Sequence, residues 1–225
     1  MSSHAAPADD AAAAGPSPRT GRAATPVLTA GPFDEATSPW ARGLRTITVA
    51  MLLLVALNAF EALAVTTTMP TVVAALGGLE LYAMAFAAPV ASSVVGMVLS
   101  GTWSDRGGPG RALLTGVGLF VAGLVLAGTA QAMPTVVAGR VVQGLGGGML
   151  SVALYVLVAR VYPDRLQPRV FAAFAAAWVL PSVVGPALAG LVSDTVGWRW
   201  VFLGVPLLAV PALVALRPAL AAAAR

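Results

Sequence analysis

Two ionisable side chains, Glu61 and Arg140, stand inside long uncharged runs of this sequence. If those runs lie in hydrocarbon, each charge costs several kcal/mol, so it marks a functional site by default. A carboxyl in such a place is pulled one way by desolvation and the other way by a nearby guanidinium. Balanced like that, it can take up and release a proton as its surroundings change. Gln143 follows Arg140 at i, i+3 and shares its helix face. Asn58 is counted with these three as a candidate cavity residue. The plainer alternative is a static Glu61–Arg140 pair between packed helices.

Other chemistry is scarce. The sequence has no Cys, and its one His is His4, near the N-terminus. Disulfides, thiolate nucleophiles and His-dependent triads or zinc sites inside the apolar runs are therefore excluded. An intramembrane serine protease would need a His partner. A metal-dependent lipid phosphotransferase would need clustered Asp, yet the uncharged runs hold no acid besides Glu61. An enzyme is not expected. A membrane subunit that only binds a partner stays open at this point.

The elements that must position these residues follow from composition. Of 225 residues, 58% are hydrophobic and 10% charged, and the mean hydropathy is +0.86. A soluble domain carries about a quarter charged residues, so this chain could not cover a water-facing surface. It reads as an all-α integral membrane protein. A helix crosses roughly 30 Å of hydrocarbon with about 20 residues. The uncharged stretches predict six spans, near residues 45–69, 80–103, 111–130, 135–160, 168–192 and 198–216. No stretch alternates with period two, which excludes a transmembrane barrel. Residues 1–44 are rich in Ala, Pro, Ser and Gly and predict a disordered tail without a secretory signal. Residues 217–225 read as the start of a linker.

All 13 basic residues are Arg, and eleven of them fall on one side of the six spans. Arg199 stands alone on the other, beside Trp198 and Trp200, and Arg140 is inside. Both termini are therefore expected in the cytoplasm, with the chain in the cell membrane. The positive net charge serves topology, and no nucleic-acid partner is expected. Measured from Met69, Glu61 lies about 12 Å below the outer surface, and Arg140 lies about 8–9 Å into helix four. Similar depth predicts one shared interior cavity.

Further signals sit around this pair. Gly101, Asp105, Arg106, Gly108 and Arg111 mark the short connection between helices two and three. Its glycines and proline permit a tight turn, and its charges can contact helix ends or neighbouring loops. Gly144 and Gly148 follow Gln143 on helix four and would let another helix approach closely. Helix five carries Pro181, Gly185, Pro186 and Gly190. Two prolines remove backbone hydrogen bonds and predict a kink. Taken singly, these are a turn, a packing face and a kinked helix.

In this order, the runs resemble the major facilitator superfamily, in its drug:proton antiporter branch, over residues 45–216. Gly101, Asp105, Arg106 and Gly108 match the Gly-x-x-x-Asp-Arg-x-Gly signature, with Arg111 as the one basic residue after it. Arg140, Gln143 and Gly144 match Arg-x-x-Gln-Gly, whose arginine is tied in the family to proton coupling. Gly185, Pro186 and Gly190 match the antiporter signature, where Pro181 and Ala189 replace two glycines. Glu61, nine residues before Pro70, stands where the multidrug exporters usually have Asp.

The resemblance implies two inverted three-helix repeats, with helices one and four lining the path. It implies efflux of small, drug-like molecules driven by a proton gradient, with no cofactor. Protons, a small-molecule substrate and the lipid bilayer are then the partners. Members of the family have twelve or fourteen helices, so this chain resembles the N-terminal half. A missing second six-helix half, or a second copy of this chain, is expected to complete it. A truncated transporter, a dimerising half-transporter and a remnant are the three readings.

Overall fold

The computed structural model describes residues 36–223. Seven α-helices and one 3-10 turn account for nearly all of them. The order is α1 (Arg45–Leu76), the turn Leu79–Leu81, α2 (Tyr82–Gly107), α3 (Pro109–Gly128), α4 (Met133–Val161), α5 (Gln167–Thr195), α6 (Arg199–Ala215) and α7 (Arg217–Ala223). α1 to α5 are each long and apolar enough to cross a membrane. α6 has 17 residues, about 25 Å of rise, and leads through Leu216 in right-handed conformation into α7. The expected linker thus begins as a helix.

Proline decides several boundaries. Pro109 and Pro134 stand in the first turns of α3 and α4, where no intrahelical N–H bond is lost. Gly108, at φ 80°, supplies the left-handed residue between α2 and α3. α1 does not stop at Met69. It runs through Pro70 to Leu76, because a proline inside a packed membrane helix forfeits one bond without ending the helix. The distance from Glu61 to the helix end is therefore longer than the sequence suggested.

The six long helices interlock. α4 packs along α2 and α3, while α1 packs along α5 and α6. α3 meets α6 between the two groups, and α1 and α4 touch each other only slightly. Each three-helix repeat thus lends its first helix to the other repeat, which gives a half-bundle of the inverted-repeat kind. α1 and α4 are mostly buried, whereas α2 and α5 are mostly exposed. Hydrocarbon around the bundle can accept those outward valines and leucines.

Residues 1–35 of the expected tail lie outside the described residues. Residues 36–44 are turns packed on the bundle: Leu44 is fully buried, and Ala36 packs against the core. The fastening is polar. Thr48 Oγ1 lies 2.7 Å from the Pro39 carbonyl, 2.9 Å from the Leu44 carbonyl and 2.7 Å from the Tyr162 hydroxyl. With one proton directed at a carbonyl, Thr48 accepts from Tyr162. Burial pushes the Tyr162 hydroxyl above its usual range, against a downward pull from Thr48, so it keeps that proton at neutral pH. Tyr162→Phe is expected to cost about 1 kcal/mol and to lower the melting temperature by about 2–4 °C. An unchanged melt in differential scanning fluorimetry would show that the clasp contributes nothing.

Candidate functional site

Glu61, at the middle of α1, is fully buried. Arg140 is in the second turn of α4 and is 4% exposed. The two meet: Arg140 Nη1 lies 3.3 Å from Glu61 Oε1. That is long for a charge-assisted bond. The same Nη1 donates a shorter bond, 2.6 Å, to Gln143 Oε1 one turn further along α4. Glu61 Oε2 is buried without a hydrogen-bond partner among the described residues. The pair is a direct polar link between α1 and α4, the two helices exchanged between the repeats.

A third bond fixes the guanidinium. Arg140 Nε donates to the Ala85 carbonyl of α2 at 3.2 Å. Residue 89, four positions on, is a proline within α2. Pro89 has no N–H to offer, so the helix leaves the Ala85 carbonyl without its usual donor. The arginine of another helix fills the place. Side-chain signals alone miss this acceptor, but Pro89 marks it.

Around these groups lies a cavity of about 370 Å³, lined by residues of α1, α2, α4 and α5. Asn58, Arg140 and Gln143 form its polar side, and Phe86, Met97 and Trp178 belong to its apolar side. Glu61 is adjacent through Arg140 but does not line it. Asn58, Glu61, Arg140 and Gln143 are therefore brought together in one neighbourhood. The apolar lining residues were missed, since a lone aromatic such as Trp178 in an apolar run has no distinguishing signal in sequence.

The remaining candidates divide by role. Gly144 and Gly148 hold α4 against α2: a Cβ at Gly144 would collide with the Pro89 carbonyl, and one at Gly148 with the Ser93 carbonyl. Both glycines also line the cavity. Gly101 and the Asp105–Arg111 connection stand at the far end of α2, away from the pair. Asp105, Arg106 and Arg111 are exposed and Gly108 is buried. The end of α2 is met instead by Arg160 of α4, whose Nη2 donates to the Ser104 carbonyl at 3.2 Å. Pro181 and Gly185 are buried on the face of α5 that meets α1, and Gly190 is half-buried there. The nearest side chains to a Cβ at Gly185 and Gly190 are Phe60 and Thr67. Pro186 is half-buried in the same helix. This signature therefore packs α5 on α1 and does not enter the polar cavity. No group of His, Cys, Asp and Glu that could hold a metal exists among the described residues.

A bundle of apolar helices around a buried ion pair and a polar-sided cavity is the arrangement of a multi-pass membrane protein. The sequence profile of the Major Facilitator Superfamily matches residues 51–224, and the chain belongs to that family. Multidrug resistance protein 3 of Bacillus subtilis (strain 168) is 32% identical over 162 residues, covering 72% of this chain and 32% of that protein. A protein of Mycobacterium tuberculosis (strain ATCC 25618 / H37Rv) named as a probable multidrug-efflux transporter is 32% identical over 148 residues, 66% of this chain and 31% of its own. The crystal structure of a D-xylose–proton symporter superposes with a TM-score of 0.69 at 16% identity, over 77% of this chain and 47% of that one. That likeness concerns the fold. The chain spans about a third of the length of these two relatives and about half of the symporter.

Proposed function

We propose that this chain forms one six-helix half of a proton-coupled exporter, exchanging protons for small, drug-like molecules. The observation that carries the reading is the Glu61–Arg140 pair, buried beside a cavity and bridging the two exchanged helices. Glu61 Oε2 makes no hydrogen bond, so a proton can be added there without displacing the bond from Arg140. Its arrival neutralises the carboxylate, weakens the α1–α4 link and frees the repeats to rearrange. Arg140 and Gln143 carry that change to the cavity. The names of the relatives support efflux of drugs. The protein works as a transporter and not as an enzyme, and the proton gradient stands in place of a cofactor.

The arginine distribution supports a cell-membrane location with both termini in the cytoplasm. The apolar outward faces of α2 and α5 support a second six-helix unit as partner, either a separate half or a second copy. The test is proton flux in proteoliposomes of the full chain containing a pH-sensitive dye. Compounds of the drug type should provoke proton movement, and Glu61→Gln should reduce it at least tenfold with unchanged protein content. Compound-driven flux that survives in Glu61→Gln would remove Glu61 from coupling and overturn the reading, and absence of flux in the parent chain would rule out a second copy as the completing half.

A further inference from the structure

The cavity's polar side carries a charged donor and no charged acceptor. Arg140 uses Nε and Nη1 on Ala85, Glu61 and Gln143. Its Nη2 has no protein partner among the described residues and is not sealed from solvent, and Arg140 lines the cavity. The Asn58 amide likewise has no protein partner among the described residues, while Gln143, which also hydrogen-bonds Glu61, keeps at most one N–H of its Nε2 for the cavity that both side chains line. The two lining hydroxyls have no proton to spare, since Ser93 Oγ donates to the Val90 carbonyl and Ser151 Oγ to the Gly147 carbonyl, and they keep only their oxygen lone pairs. What faces a ligand is therefore a group of N–H donors with a guanidinium among them, beside the neutral acceptors Asn58 Oδ1 and the two serine oxygens. No carboxylate lines the space, because Glu61 is fully buried behind Arg140.

Donors left unmatched in a water-poor site are costly, so the preferred ligand supplies acceptors. A cation would meet the guanidinium first and find no carboxylate within reach. Phe86 and Trp178 would accept a flat neutral ring or a cation alike, which leaves the polar side to decide. We infer that this cavity selects uncharged aromatic compounds bearing carbonyl-type acceptors, held by Arg140 Nη2, Gln143 and Asn58, and that it rejects lipophilic cations. The inference rests on the reading of this cavity as the substrate site, and adds the class of substrate.

Two flat probes of similar size separate the cases: coumarin-3-carboxamide, neutral with carbonyl acceptors, and N-methylquinolinium, cationic with none. Binding of the fluorescent carboxamide to the full chain in lipid nanodiscs is followed by anisotropy. Saturable binding is expected, with no displacement by a tenfold excess of the quinolinium. Gln143→Leu and Asn58→Leu, checked for folding by circular dichroism, should each weaken it at least tenfold. Displacement by the quinolinium would overturn the ligand class while leaving the cavity as the substrate site. Full-strength carboxamide binding in both folded variants would also overturn it, since the donors would then play no part. Failure of both probes to bind would overturn the inference together with the site reading beneath it.

Discussion

Arg140→Leu is expected to destabilise the bundle by about 3–5 kcal/mol, the usual result of stranding one member of a buried ion pair. Three acceptors lose their donor at once: Glu61 Oε1, Gln143 Oε1 and the Ala85 carbonyl. Glu61 suffers most, since its second oxygen already lacks a partner. Glu61→Leu combined with Arg140→Leu should recover most of the loss, because two leucines at a buried pair are often neutral or better. A double-mutant cycle in denaturant checks this. If the double variant is no more stable than Arg140→Leu alone, the pair is not the source of the penalty. Recovery of stability without proton flux would show that the pair is retained for coupling and not for folding.

Legibility in the sequence follows the physics of each feature. Glu61 and Arg140 were legible because charges inside apolar runs stand out against their surroundings. Their meeting was reached through an equal-depth argument that ended helix one at Met69, whereas α1 continues to Leu76. The two side chains do meet, while α1 projects past the residue from which depth was counted. Which helices adjoin was not legible. Hydrophobic residues surround these helices on all sides, and periodicity cannot then distinguish a lipid face from a protein face. The two inverted repeats came through the resemblance and not through pattern, and the exchange of α1 and α4 between them was not expected. The Ala85 carbonyl is backbone and carries no side-chain signal, though Pro89 announces it to a reader who asks which carbonyl a proline leaves free. The packed turn at residues 36–44 was hidden by a composition that resembles the segment before it.

The glycines of α4 allow a prediction of opposite signs on one fold. Gly144 and Gly148 sit at i, i+4 against α2, and Gly139 and Gly146 against α3, where Gly123 and Gly116 face them. A Cβ at Gly148 would run into the Ser93 carbonyl, which is backbone and can yield only if a helix moves. Gly148→Ala is therefore expected to cost about 1–3 kcal/mol, the range for overpacking. Gly190→Ala on α5 is the counter-case. Its Cβ would lie 3.7 Å from Thr67 Cγ2, an ordinary contact, and alanine gains up to about 1 kcal/mol over glycine inside a helix. Thermal melts of the two variants should thus shift in opposite directions, and equal shifts would refute close packing as the role of Gly148. The effect should also reach the site. Pushing α2 away moves the Ala85 carbonyl from Arg140 Nε, so Gly148→Ala should weaken carboxamide binding while Gly190→Ala leaves it unchanged. A glycine that acts only on stability would change the melt and spare the affinity, and the two measurements together decide between them.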